Sequence, residues 1–244
     1  MSILEVREVS VRFGGHMAVD QVDLDVEPAT ITGLIGPNGA GKTTLFNVIT
    51  GLQAPTSGRV LLEGDDITKA PAHRRAKAGI ARTFQRLELF GTLSVFDNVR
   101  TAAELRRSDE QSPERAVDAI LHEVGLAELS AVRADSLSTG NARLVELARA
   151  LACRPRVLLL DEPASGLDET ETAAFADTLR RLADGGLAIL LVEHDVPLVM
   201  SLCSTITVLN FGTVLAKGTP DEVRADEHVI EAYLGHSAEV GGAV

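Results

Sequence analysis

The residues of this 244-residue chain best suited to chemistry stand in short groups: GPNGAGKTT at 36–44, RTFQ at 82–85, VLLLDEP at 157–163 and VEHD at 192–195. The first group comprises Gly36, Pro37, Asn38, Gly39, Ala40, Gly41, Lys42, Thr43 and Thr44, and fits the phosphate-loop pattern G-x-x-x-x-G-K-S/T without deviation. Its glycines let the backbone bend so that successive N–H groups point at phosphate oxygens. A helix beginning near Lys42 would add the positive end of its dipole. Lys42 is expected to reach the β- and γ-phosphates of a nucleotide, and the Thr43 hydroxyl to ligate Mg²⁺.

The other groups supply what a phosphate loop lacks. VLLLDEP reads as a buried strand ending in two carboxylates, and strand alternation would send Asp161 and Glu162 to opposite sides. Asp161 would then hold Mg²⁺ or its water shell, while Glu162 would face the attacking water as general base. His194 leads the loop after a second apolar strand, where it could bond the γ-phosphate and orient water. Gln85, after the short strand GIAR, could ligate the metal or a water through its amide oxygen.

These groups need elements to hold them. Residues 3–35 alternate apolar and polar in short runs, the pattern of half-buried strands. TITGLI supplies a strand before the phosphate loop, and TLFNVITGL a helix after it. Between about 70 and 150 the pattern becomes helical, with RRSDEQSPE as a surface turn between two of the helices. VLLL at 157–160 and LAILLV at 187–192 are continuous apolar runs, as expected of strands buried on both faces of a parallel sheet. The amphipathic stretch between them, ending at Gly185-Gly186, makes a strand–helix–strand crossover. A hairpin (TVLNFGTVLAKG), one helix (PDEVRADEHVIEAYLG) and a small-residue tail complete the chain.

Composition narrows the partners. A net charge of −12 repels nucleic acid and anionic lipid alike, so neither is expected to bind directly. No apolar run approaches the roughly 18–20 residues that span a bilayer, and the first residues lack the apolar core of a secretory signal. Direct membrane insertion is therefore not expected, and any membrane association must come through a protein partner. Cys153 and Cys203 lack metal-ligand spacing and read as buried free thiols of a reducing compartment.

A phosphate loop alone fits kinases, GTPases, helicases and many other enzymes. LSTGNARLVELARAL at 137–151 is the discriminating segment. It resembles the signature of ABC ATPases, usually written LSGGQ, and with GPNGAGKTT, RTFQ, VLLLDEP, SGLD and VEHD in the same order it extends the resemblance over residues 4–235. The resemblance implies an α/β fold, a RecA-like phosphate-loop core with an antiparallel β-subdomain and an inserted α-helical subdomain. One cassette would span 3–236: the β-subdomain and first part of the core over 3–85, the helical subdomain over 86–150, the rest of the core over 151–215 and a C-terminal helix over 216–236, with a flexible tail at 237–244.

It also implies ATP as substrate, Mg²⁺ as cofactor, and Phe13 stacked on adenine. Ser138, Thr139, Gly140 and Asn141 would act in trans, binding the γ-phosphate of ATP held by a second ABC ATPase subunit, identical or paralogous. Ser165 and Asp168 would form the loop that crosses that interface. Thr139 and Asn141 depart from the usual Gly and Gln, whereas Ser138 and Gly140 match. Transmembrane permease subunits and an extracytoplasmic solute-binding protein are the implied partners, placing the chain peripherally on the cytoplasmic face of the membrane. RTFQRLELFGTLSVFDNV and the segments after VEHD look most like ATPases of branched-chain amino acid importers. Urea-type importers and lipopolysaccharide-export ATPases share much of that wording. A non-transport ABC protein, or a module that holds ATP without turnover, is the competing class; the single cassette argues against the former, and Glu162 with His194 against the latter.

Overall fold

A computed structural model describes residues 1–105 and 112–232. In chain order the elements are β1 (Leu4–Phe13), β2 (His16–Val26), β3 (Ile31–Ile35), α1 (Lys42–Thr50), β4 (Ser57–Leu62), β5 (Asp65–Asp66), α2 (Ala72–Ala78) and β6 (Ile80–Arg82). Then come α3 (Val95–Glu104), α4 (Pro113–Glu123), α5 (Thr139–Ala152), β7 (Val157–Asp161), α6 (Glu169–Asp184) and β8 (Ala188–Val192). The described chain closes with α7 (Val196–Leu202), β9 (Thr205–Asn210), β10 (Thr213–Gly218) and α8 (Pro220–Ala225). Residues 106–111 of the RRSDEQSPE turn lie outside the described residues, as does the tail, while Ser112 to Glu114 begin α4.

The strands form two sheets. The smaller, in the order β2-β1-β4-β5, is antiparallel. The larger runs β10-β9-β3-β8-β7-β6, parallel except for the β9–β10 hairpin at its edge. Two apolar cores lie on opposite faces of this larger sheet. Leu158, Leu160, Ile189 and Leu191 enter the core beneath α3 to α8; Val157, Leu159, Ala188, Leu190 and Val192 enter the one shared with α1 and the antiparallel sheet. Strands with both faces covered leave no position for a polar residue, which is why these runs are unbroken. The same parity puts Asp161, two residues beyond Leu159, on the α1 face.

Helix ends follow local chemistry. Ser94, Ser112, Ser138, Asp168, Asp195 and Thr219 each accept a backbone N–H at the start of α3, α4, α5, α6, α7 and α8. The expected single C-terminal helix is interrupted: α8 stops at Ala225, Asp226 takes an extended conformation, and helix resumes at 227. The Asp226 carboxylate accepts from the N–H groups of His228 and Val229, so it begins a new helix instead of continuing the old one. Cys203 is buried, and burial pushes its thiol up to about 12; Cys153 is only half-buried, not fully enclosed as the sequence suggested.

Arg75 has no counterpart in the sequence reading. Its side chain is buried, and its guanidinium donates to the carbonyls of Val48, Ile49, Thr68 and Ala70 at 2.6–2.9 Å. The first two belong to the last turn of α1, whose carbonyls have no partners within the helix. Arg75 thus closes the end of the helix that begins at the phosphate loop. Removing it takes the side-chain donor from the carbonyls of Ile49, Thr68 and Ala70, while Val48 keeps the Gly51 N–H, so Arg75→Ala is expected to lower the unfolding free energy by about 3 kcal/mol. An unchanged urea midpoint would show that the carbonyls find other donors.

Candidate functional site

The phosphate loop is held in shape from two sides. Gly36 has φ 152° and a Cβ there would lie 2.1 Å from the Leu209 carbonyl oxygen; at Gly41, φ 105°, it would lie 2.6 Å from that of Ala18. Only glycine fits these close approaches. Gly41 is the N-cap of α1 and offers no side chain to it, in contrast to the six capped helices above. The opening N–H groups of α1 are therefore free of a side-chain acceptor, which suits a bound anion. Lys42 is buried, and its Nζ donates to the carbonyls of Gly36 at 2.6 Å and Pro37 at 3.0 Å. Burial pushes its ammonium below the ordinary lysine value, while Glu162 and Asp161 pull it back up. Thr43 is exposed and Thr44 half-buried at the helix start, and Asn38 and Gly39 lie exposed at the tip of the loop.

The carboxylates at the end of β7 do turn to different partners, but alternation is not the cause. The strand ends at Asp161, and Glu162 adopts a left-handed backbone, φ 50°, with its N–H donating to the Val192 carbonyl of β8. Asp161 Oδ2 accepts from Arg82 Nη2 at 2.7 Å, both side chains being nearly buried. Glu162 lies between two polar groups: Gln85 Nε2 donates to its Oε2 at 2.8 Å, and His194 Nε2 is 2.7 Å from its Oε1. Glu162, His194 and Gln85 thus form one hydrogen-bonded set beside Lys42. Phe13, at the end of β1 beside the β1–β2 turn, is half-exposed and not packed in the core.

A second group forms elsewhere. Ser138 caps α5 by accepting from the Asn141 N–H at 3.3 Å. A Cβ on Gly140 would meet the Glu171 carboxylate at 2.6 Å, and one on Gly166 would meet the Thr139 methyl at 3.5 Å. Residues 138–141 and the segment leading into α6 therefore lie against each other in one chain. Asp168 is occupied structurally, its carboxylate accepting the Glu171 N–H at 2.8 Å in a capping box. Among the described residues, no side-chain hydrogen bond joins 138–141 to 36–44.

A family model for ABC transporters matches residues 19–165, and one for branched-chain amino acid ATP-binding cassette transporters matches 213–239. The chain is 40% identical to a high-affinity branched-chain amino acid transport ATP-binding protein, BraF of Pseudomonas aeruginosa, over 96% of this chain and 98% of that protein. This chain belongs to the ABC transporter family. The lipopolysaccharide export ATP-binding protein LptB of Escherichia coli is 37% identical, again over 96% and 98%. A solved ATP-binding cassette in its ADP conformation superposes with a TM-score of 0.87 at 30% identity, covering 96% of this chain and 99% of that one. The fold is that of an ABC ATPase, and the chain binds and hydrolyses ATP to power transport. None of its described helices is long and apolar enough to cross a membrane.

Several residues that organise the cassette escaped the motif reading. Arg143 of α5 is buried, pairs with Glu146 at 3.0 Å and donates to the carbonyls of Gln85 (3.0 Å) and Ser165 (3.5 Å). It joins the signature helix to the loops that carry Gln85 and Asp168. Burial raises the pKa of Glu146, and Arg143 opposes that rise. Glu193 is buried and accepts from the N–H of Ala164 at 2.7 Å and of His194 at 3.1 Å, tying the loop after β7 to the loop after β8. The available signal was positional: a charged residue inside or directly after a buried apolar run requires partners.

Burial raises the pKa of Glu193; the two N–H groups and His194 oppose this, and Glu162 adds to it. The folded chain then holds that proton more tightly than the unfolded chain, and this component of stability is lost as pH rises from the ordinary glutamate value, about 4.3, through the raised one. Urea titrations of wild type and Glu193→Gln across that window are expected to show wild type losing stability relative to the variant, then a constant difference. A difference that is flat throughout, or that moves the other way, would rule out a raised Glu193.

Proposed function

We propose that this chain powers uptake of branched-chain or related amino acids, closing with a second ATPase subunit around ATP and opening on hydrolysis. The observation that carries the substrate class is the match of residues 213–239 to the branched-chain cassette model, outside the region common to ABC transporters. The 40% identity to BraF supports it over nearly the full length of both chains. The partner ATPase is identical or paralogous, and the other partners are transmembrane permease subunits and an extracytoplasmic solute-binding protein. The chain then sits peripherally on the cytoplasmic face of the membrane.

A groove supports permease docking. About 540 Å³ in volume, it is lined by Leu52, Phe84, Phe90 and Leu105, all substantially exposed, and lies between α2, β6, α3 and α5. An apolar groove of that kind on a chain of net charge −12 suits an apolar segment of a protein partner better than it suits lipid headgroups.

Chemically, the donor set around the phosphate loop fits Mg²⁺. The Thr43 hydroxyl, Asp161 carboxylate and Gln85 amide are hard oxygen donors, and Mg²⁺ is commonly held by one or two carboxylates together with substrate phosphates. Among the described residues no cluster of three His, Cys, Asp or Glu side chains competes as a protein-only metal cage. When bound, Mg²⁺ would neutralise charge on the β- and γ-phosphates. Lys42 and the opening N–H groups of α1 hold those phosphates. Glu162, fixed on its two oxygens by Gln85 and His194, takes the proton of the attacking water, and His194 orients that water against the γ-phosphate. Phe13 stacks on adenine, a contact worth roughly 1–3 kcal/mol by analogy with base stacking. Ser138 and Gly140 meet the γ-phosphate of the other subunit's ATP, with Thr139 and Asn141 at the edge of that contact and Ser165 and Asp168 beside it.

Glu162→Gln keeps the shape of the side chain and one acceptor oxygen, turns the other into an NH₂ donor, and cannot accept the proton. It is expected to bind ATP, to lose about 10²- to 10⁴-fold in kcat, and to elute as a stable dimer with ATP. Turnover near the wild-type rate would remove Glu162 as the base. For the substrate, the purified membrane complex with its binding protein is expected to hydrolyse ATP faster with leucine, isoleucine or valine. Stimulation by urea instead, or export of lipopolysaccharide by the complex, would overturn the assignment.

A further inference from the structure

Arg82 ends the short edge strand β6, where the parallel register pairs it with Leu159. Asp161 stands two residues further along β7 on the same face, within reach of a long side chain. The guanidinium uses both arms: Nη2 donates to Asp161 Oδ2 at 2.7 Å and Nη1 to Asn47 Oδ1 on α1 at 2.6 Å. Its side chain is 8% exposed and its Nε is buried with no hydrogen-bond partner. The planar group is fixed further by aromatic rings, its carbon lying 5.4 Å from the centroid of Phe46 and 5.1 Å from that of Phe84. Nearly every degree of freedom of Arg82 is taken up in pointing one N–H pair at one carboxylate oxygen.

That arrangement is costly as a device for stability alone. A buried ion pair roughly breaks even against desolvation, and this one also leaves a donor unpaired. It does fix a carboxylate rotamer: one oxygen of Asp161 is held, and the other carries no hydrogen bond to the described residues. We propose that Arg82 is a positioning residue, which holds the Asp161 carboxylate in one orientation as the Mg²⁺ ligand and registers it against the phosphate-loop helix through Asn47. The proposal rests on the reading of Asp161 as a metal ligand. A lysine could pair with Asp161 as a point charge, but it lacks the fork that spans Asp161 and Asn47 together.

The experiment uses Mn²⁺ as probe, with electron paramagnetic resonance reporting its affinity for the complex of the full chain with a non-hydrolysable ATP analogue. Nucleotide affinity in EDTA and the urea midpoint are measured in parallel on wild type, Asp161→Asn, Arg82→Gln and Arg82→Lys. The expected result is that Asp161→Asn and Arg82→Gln both weaken Mn²⁺ at least about tenfold, Arg82→Lys weakens it less, and affinity in EDTA stays within about twofold; outer-shell partners of metal ligands typically carry 10- to 100-fold. Mn²⁺ affinity unchanged in Asp161→Asn would overturn the metal-ligand reading itself. Weakened binding in Asp161→Asn with unchanged binding in Arg82→Gln would overturn the positioning role alone, whatever the urea midpoint does. If Arg82→Gln does not fold, Arg82→Lys decides: Mn²⁺ affinity equal to wild type overturns the proposal.

Discussion

Asp161 ends a strand buried on both faces, where a carboxylate has few polar partners within reach. A buried carboxylate oxygen needs a donor within hydrogen-bonding distance, and that donor has to be anchored itself. Arg82 meets the requirement only because β6 lies beside β7 in parallel register and because α1 offers Asn47 to the second arm. The order of strands, the placement of α1 and the aromatic rings around the guanidinium are therefore all tied to one carboxylate. The same reasoning covers Lys42, whose burial is opposed by Asp161 and Glu162, and Arg143, which shares its burial with Glu146.

These pairings divide the cassette into two chemical groups that one arginine connects. Lys42, Asp161, Glu162, Gln85 and His194 gather beside the phosphate loop. Ser138, Thr139, Gly140 and Gly166 gather where the signature meets the loop before α6. Arg143 reaches the Gln85 carbonyl from one side and the Ser165 carbonyl from the other. A shift of α5 relative to the parallel sheet would thus be felt at Gln85, which hydrogen-bonds Glu162. Under the proposed closing and opening of two subunits, such a link would let the signature helix and the proposed base move together.

The sequence is most informative where chemistry leaves one residue type no substitute. Gly36 and Gly41, Lys42, and the unbroken apolar runs of β7 and β8 could be read directly, because backbone approach, phosphate charge and two-sided burial each demand a narrow composition. The break at Asp226 was hidden because PDEVRADEHVIEAYLG keeps helical spacing across it, and only the capping geometry of one side chain interrupts the helix. Arg75, Arg82, Arg143 and Glu193 were opaque for a different reason. Position can show that such a charge needs partners, but most of those partners are backbone groups or side chains far away in sequence, which no local pattern names.

Glu162 shows how far these constraints reach. A left-handed backbone at a non-glycine residue costs roughly 1–2 kcal/mol and persists only where its surroundings hold it. Here the Glu162 N–H is held by the Val192 carbonyl, and two residues later the Ala164 N–H is held by the Glu193 carboxylate. Both restraints come from the end of β8, the segment that also presents His194 to Glu162. Glu162 and His194 therefore cannot be positioned independently: the strand that delivers His194 also fixes the turn that aims Glu162. A change at Glu193, whose carboxylate bonds neither the Glu162 nor the His194 side chain, would displace both together, because its two oxygens bind one N–H on each side of that joint.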